Sequence, residues 1–290
     1  MRQPRIGTKT MAGVLYLCAT PIGNLEDMTF RAVRILGEAD LIACEDTRTS
    51  RRLLDHYDIH TPVTSYHEHN KWEKAEVLIE KMLQGANVAL ITDAGMPCIS
   101  DPGEAIVKKA AEAGIGIFVV PGATASVSAL AVSGQETGRF VFEGFLPSSG
   151  KERKDRLAAL AGEERTIILY EAPHRLVKTL RDLSDTLGRD RRASLVRELT
   201  KKHESVVRDD LSGLLALYDE NDPKGECVLV ISGAGREEIL QKEREKWENI
   251  SVEEHFASYT AAGLDRKEAM KQVAKDRGVS KREIYNCLNS

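Results

Sequence analysis

The sequence contains no apolar run approaching the roughly 18 residues that a membrane-spanning helix needs. Basic residues near the N-terminus are not followed by an apolar signal region. Val14–Ala19 is too short for one and reads as a strand, so a cytoplasmic protein is expected. Cysteines are few: Cys18, Cys44, Cys98, Cys227 and Cys287 are odd in number, widely spaced and without a CxxC pair. Neither a disulfide framework nor a zinc ribbon is supported, and buried reduced thiols are expected. His67-x-His69 has no further ligands at metal-site spacing and reads as an exposed loop, so no metal is expected. No GxGxxG fingerprint and no GxxxxGK[ST] phosphate loop is present, which argues against a nicotinamide dehydrogenase and a P-loop NTPase. The net charge of −4 argues against nucleic acid covering the whole surface but leaves room for a local basic patch.

What the 290 residues do contain is 42% hydrophobic and 30% charged side chains, enough for real cores and the length of two domains with a small appendage. Residues 1–12 read as a flexible leader. Short apolar runs then alternate with amphipathic segments. Strands are expected at Val14–Ala19, Leu41–Cys44, Val63–Tyr66, Val88–Thr92 and Ile117–Val120. Helices are expected at Thr29–Ala39 with Thr29 as cap, and at Thr49–Tyr57, Lys71–Gln84 and Glu104–Ala113. Continuous apolar strands between helices imply a parallel sheet covered on both faces. The pattern changes after Pro121-Gly122, which gives domains 13–122 and 123–235. The second half combines helices at Ala123–Val132, Lys151–Leu160 and Leu176–Leu187 with strands at Phe140–Phe145, Thr166–Tyr170, Ala193–Leu199, His203–Arg208 and Glu226–Ser232. Two of those strands are joined by a short turn, so a mixed sheet is expected. Residues 236–290 read as a charged helix, Arg236–Asn249, followed by two or three short helices.

Three loops poor in side-chain bulk each follow a strand: Ala19–Leu25 (ATPIGNL), Thr92–Gly103 (TDAGMPCISDPG) and Val120–Ala123 (VPGA). In an open α/β sheet, ligands sit outside the carboxyl ends of the strands, and such loops let backbone groups approach a ligand closely. Singly, each is also an ordinary strand-to-helix turn. Together they describe a pocket that recognises a nucleoside-containing, non-polyphosphate ligand by backbone and shape. A charged group comprises Glu45-Asp46-Thr47-Arg48, Glu171–Arg175 (EAPHR) and Arg197–Glu204 (RELTKKHE). It is either a solvated rim or a cleft offering cations to phosphates and carboxylates to protons. His174 reads equally as a base or as a structural residue. Residues 264–290 hold seven Lys or Arg against four Asp or Glu and read as helix, Gly278-Val279-Ser280 turn, helix. This is a helix-turn-helix pattern, or else a hairpin used for packing or dimerisation.

These runs, in this order, resemble the bacterial 16S rRNA 2′-O-ribose cytidine methyltransferases. That group is a branch of the tetrapyrrole methylase, or class III S-adenosylmethionine-dependent, superfamily. The resemblance covers about residues 13–235 and extends to a helix-turn-helix appendage. The first loop, TPIGNLED, stands where precorrin methylases carry a GxGPGD-like loop, which favours the rRNA branch. The resemblance implies an α/β protein of two domains, with a mostly parallel N-terminal sheet, a mixed second sheet and a small all-α C-terminal extension that binds RNA. It implies S-adenosyl-L-methionine as cofactor, bound between the domains by Pro21, Gly23, Asp93, Ala94, Gly95, Ser100, Asp101, Pro102, Gly103, Pro121, Gly122, Ala123, Ala172 and Pro173. It further implies a homodimer that acts on cytidine 1402 of 16S rRNA in the 30S subunit. Candidates for acceptor chemistry are Glu45, Asp46, Arg48, Glu198 and Lys201, with Glu171 also weighed as a base. A tetrapyrrole acceptor and a non-enzymatic nucleic-acid-binding regulator remain as alternatives.

Overall fold

The computed structural model describes residues 12–219, 224–235, 247 and 250–289. The leader assigned to residues 1–12 lies outside them except for Ala12, and so does the charged helix at 236–249 except for Trp247. Strands β1 (Val14–Cys18), β2 (Leu41–Cys44), β3 (Val63–Ser65), β4 (Val88–Leu90) and β5 (Gly116–Val120) form one sheet in the order β3-β2-β4-β1-β5. Every pairing in it is parallel. The strands are short and apolar on both sides because both faces are covered. Ile42, Ala89 and Cys18 pack on α1 (Phe30–Glu38) and α2 (Thr47–His56) through Leu36 and Leu54. Their alternating neighbours Ala43, Val88 and Leu15 pack on α3 (Lys71–Leu83) and α4 (Glu104–Glu112) through Leu78, Met82 and Ile106.

The chain leaves this sheet at Val120 and enters α5 (Ala125–Ser133), which already belongs to the second layer system. There β6 (Phe140–Phe145), β7 (Thr166–Glu171), β8 (Arg192–Arg197), β9 (Ser205–Asp210) and β10 (Cys227–Ile231) are arranged as β6-β7-β10-β8-β9. Only the β6–β7 pairing is parallel; β10 runs against β7 and β8, and β8 and β9 form a hairpin. One face packs on α6 (Gly150–Leu160), α7 (Pro173–Leu187) and α8 (Leu211–Asp219), with Leu169, Leu195 and Leu229 meeting Leu176, Leu180 and Leu214. The other face, Ile168, Val196 and Val230, is covered by α5 through Ala129 and Leu130.

Most elements fall within a few residues of their expected positions. Helix α2 starts earlier, at Thr47, because the Asp46 carboxylate accepts a hydrogen bond from Arg48 N at 2.8 Å and caps it. Helix α7 starts at Pro173 rather than Leu176, since proline is suited to the first turn. Strand β8 stops at Arg197, before the turn in which Glu198 and Thr200 take φ of 51° and 67°. Helix α8 was not expected. Its run LSGLLALYD is apolar on most sides and lacks the polar stripe that marks an amphipathic helix. Three further helices, Val252–Ala261, Arg266–Arg277 and Lys281–Cys287, share a small core of Met270, Val273, Ala274 and Ile284. Gly278 ends the second in the left-handed conformation, and Ser280 with Glu283 forms a capping box on the third.

Candidate functional site

The carboxyl ends of β1, β2, β4 and β5 meet the ends of β6 and β7 across a cavity of about 720 Å³. The first two loops are stitched together by backbone: Thr20 N donates to Gly95 O at 2.9 Å and Gly95 N to Thr20 O at 3.1 Å. Gly95 lies at φ +81°, and a Cβ there would stand 3.2 Å from Ile22 Cγ2, so only glycine keeps this approach unstrained. In the second loop Cys98 and Ser100 are held at φ of 72° and 61°, a cost of order 1 kcal/mol each for side chains bearing Cβ. The Asp101 carboxylate sustains that shape by accepting from Gly103 N at 2.7 Å and Ile99 N at 3.2 Å. Burial pushes the Cys98 thiol up to about 12, so it is no nucleophile at neutral pH.

From the second sheet, a bulge at Glu143 shifts the β6 register between Phe142 and Gly144 and directs Phe142 and Phe145 to the cavity, where both pack on Tyr170. The Tyr170 hydroxyl accepts from Ser126 N at 3.2 Å and so supplies the cap that Thr124 does not give α5. Glu171 is buried. It accepts from Thr179 Oγ1 at 2.5 Å and from Ala172 N at 2.8 Å and fixes the Ala172-Pro173 turn.

Of the residues expected to hold the cofactor, Ala94, Gly95, Ser100, Asp101, Ala172 and Pro173 line the cavity. Pro102 and Gly103 stand behind it, where Tyr66 Oη donates to Pro102 O at 3.1 Å. Pro21, Gly23, Asp93, Pro121, Gly122 and Ala123 are outside the lining. Asp93 instead accepts from Asp46 N at 3.2 Å, and Gly122 allows close approach to Ala19, whose Cβ lies 2.9 Å from where its own Cβ would stand. Ile22 and Met96 lie in two of the loops marked in the sequence without being singled out there, and Ser126, Val127, Phe142, Phe145 and Tyr170 lie outside every marked loop. No local motif marks the residues of α5, β6 and β7.

The five acceptor-side candidates separate. Glu45 lines the cavity, and its Oε2 accepts from Thr92 Oγ1 at 3.4 Å. Burial, then the negative charges of Asp93 and Asp101, raise its pKa above the usual carboxylate range. Asp46 and Arg48 pair with each other at 2.9 Å, exposed, and the Arg48 hydrogen bonds pull Asp46 down to about 2. Glu198 and Lys201 sit in the β8–β9 turn. There Lys201 Nζ lies 3.0 Å from both Glu198 Oε1 and Glu226 Oε2. Burial works against its charge, but these hydrogen bonds outweigh it and raise its pKa, which makes it a fixed cation and not a base. Its stem packs on the first loop, 2.5 Å from where a Gly23 Cβ would stand.

The lining carries Glu45, Asp101, Glu171 and Glu226 and no lysine or arginine among the described residues; Glu171 is paired with Arg175 at 3.4 Å and Glu226 with Lys201 at 3.0 Å behind it, which leaves Glu45 and Asp101 to set the sign of its charge. Such a site repels polyphosphates and suits a cationic ligand, and its apolar walls suit a nucleoside. The sulfonium and adenosine of S-adenosylmethionine meet both requirements. No group of three metal-ligating side chains occurs among the described residues. His67 and His69 stand with ring centroids 6.0 Å apart.

Residues 14–215 match the model of the Tetrapyrrole (Corrin/Porphyrin) Methylases. The chain is 49% identical over 274 residues to the ribosomal RNA small subunit methyltransferase I of Halalkalibacterium halodurans, covering 94% of each chain. To the protein of the same name from Bacillus subtilis it is 46% identical over 288 residues, 99% of this chain and 98% of the other. Among solved structures it is similar to a diphthine synthase, with TM-score 0.62 at 16% identity over 80% of this chain and 95% of the other. It is also similar to the uroporphyrin-III-C-methyltransferase of Thermus thermophilus, with TM-score 0.54 at 22% identity over 76% and 94%. The chain belongs to the tetrapyrrole methylase family, in its ribosomal RNA small subunit methyltransferase I branch. It is an S-adenosylmethionine-dependent methyltransferase.

Proposed function

We propose that the protein transfers a methyl group to the ribose 2′-hydroxyl of cytidine 1402 in 16S rRNA, within the 30S subunit, in the cytoplasm. The observation that carries this reading is the position of Glu45, at the tip of β2 in the lining of a cavity that has no lysine or arginine among its described residues, where burial also raises its pKa. S-adenosylmethionine supplies an already activated methyl group. The chain's part is to hold the acceptor in line with it, worth roughly 7–11 kcal/mol when geometry is right, and to take the hydroxyl proton. Glu45 is the group placed for that proton. Ala94, Gly95, Ser100, Asp101, Ala172 and Pro173 hold the donor, with Ile22, Phe142 and Tyr170 excluding water.

The small C-terminal bundle adds an RNA contact through Lys267, Lys271, Lys281 and Arg282, which are exposed. The edge strand β5 exposes Phe118 and Val119, 46% and 50% accessible, and is the face on which we place a second copy of the chain in a homodimer. The reading is tested by incubating the protein with radiolabelled S-adenosylmethionine and either 30S subunits or uroporphyrinogen. Label on 16S rRNA supports it; label on the tetrapyrrole alone, or on neither, overturns it.

A further inference from the structure

A cavity lined by carboxylates and no described cation offers no positive side chain to the phosphates flanking an RNA acceptor. Cations follow the short loop between β6 and α6, at the start of α6 and on the neighbouring α7. Strand β6 ends at Phe145, which lines the cavity yet leaves 54% of its surface exposed. The backbone that follows is gripped carbonyl by carbonyl. Arg175 Nη2 donates to Leu146 O at 2.7 Å, Arg153 Nη1 to Pro147 O at 2.9 Å and Lys178 Nζ to Ser148 O at 3.1 Å. Arg153 is itself buried and anchored on Asp182 at 2.8 Å and Thr179 at 2.9 Å. A loop so fixed loses little freedom when a partner binds it. It delivers Lys151 and Lys154, exposed and three residues apart on the first turn of α6, with no ion pair among the described residues. Lys178, also exposed, stands on the neighbouring α7.

We infer that this loop is the RNA grip of the enzyme: Lys151, Lys154 and Lys178 bind phosphates beside the target nucleotide, and Phe145 is the platform on which a neighbouring base stacks. The inference rests on the rRNA reading above. Single-stranded RNA is held in this way, by cations along its backbone and aromatic faces under its bases. Cations outside and carboxylates inside also sort the ligands, admitting a cationic donor to the cavity while the polyanion stays on its rim.

The test uses the full chain with Lys151→Ala/Lys154→Ala, and Lys81→Ala/Lys108→Ala as a control that removes the same charge from α3 and α4. KM for 30S subunits is measured at several salt concentrations. Filter retention of 16S rRNA and calorimetric titration of S-adenosylmethionine are measured alongside. The loop variant should show KM raised about tenfold, and a slope of log affinity against log salt flatter by roughly 0.7 for each lost contact. Its donor affinity should be unchanged, and the control should behave as wild type. Phe145→Ala should also raise KM, and Phe145→Tyr should restore it. An unchanged KM and salt slope, an equal loss in the control, or a loss that salt does not modulate, as contact with a ribosomal protein would give, overturns the grip. Lysine-dependent RNA binding without methyl transfer overturns the acceptor reading and keeps the grip. Methyl transfer with lysine-independent binding does the reverse.

Discussion

Glu45 and Thr92 meet across the tips of β2 and β4, with the threonine hydroxyl donating to the carboxylate at 3.4 Å. Thr92 favours the charged form of Glu45, while burial and the neighbouring Asp93 and Asp101 oppose it, and the opposing causes win. A carboxylate poised in this way takes up a proton more readily than an exposed one.

Glu45→Gln should therefore lower turnover by about 10²–10⁴-fold, the range expected for losing a general base, with S-adenosylmethionine affinity kept. Arg48→Ala and Lys201→Ala, which remove an exposed partner of Asp46 and a fixed cation, should stay within about tenfold of wild type on the same scale. Single-turnover methyl transfer to 30S subunits measures all three.

The acid limb of the pH–rate profile should report Glu45. Its base form exists above its raised pKa, so the rate rises with pH through that value. Asp93→Asn removes a like charge and lowers that pKa, so the limb should move to lower pH. A limb that stays in place, or moves upward, excludes Glu45 as the titrating base.

Much of this was legible in the sequence, for definable reasons. Continuous apolar strands between amphipathic helices gave the parallel sheet its order along the chain. Of the three bulk-poor loops, the one around Gly95 pointed to the cavity because ligand approach and low side-chain volume are one requirement, whereas Pro121, Gly122 and Ala123 stay outside its lining. Glu45 was visible but inseparable from Asp46 and Arg48, since only burial distinguishes them. Phe142, Phe145, Tyr170 and Ser126 were illegible. They reach the site because two sheets face each other and because a bulge turns β6, and neither fact has a local signature. Pro102 and Gly103 belong to a motif that does enter the cavity, yet their own task is to shape the loop behind it.

Ala172→Trp should abolish donor binding in calorimetric titration. Ala172 lines the cavity and is only partly buried, so a large ring fills the ligand's space without displacing core. The melting temperature should stay within a few degrees of wild type, which separates a blocked site from a lost fold.

Deleting residues 250–290 should raise KM for 30S subunits and make it less salt-dependent, because the exposed Lys267, Lys271, Lys281 and Arg282 are lost. Donor affinity should be kept, since the three helices have a core of their own. A truncated chain with wild-type KM would show that these helices only pack.

Phe118→Asp on the β5 edge should turn the protein monomeric in light scattering coupled to size exclusion, because a charge facing its own symmetry mate cannot be buried unpaired. A dimer that survives this change uses another face.

The central claim, methyl transfer to one ribose of 16S rRNA, is tested most directly by mapping the product. 30S subunits lacking the modification are incubated with the protein and S-adenosylmethionine, and the rRNA is digested and sequenced by mass spectrometry. The account predicts 2′-O-methylcytidine at position 1402, formed by wild type and suppressed by Glu45→Gln. Methyl groups on a base, at another nucleotide, or undiminished by Glu45→Gln would contradict it.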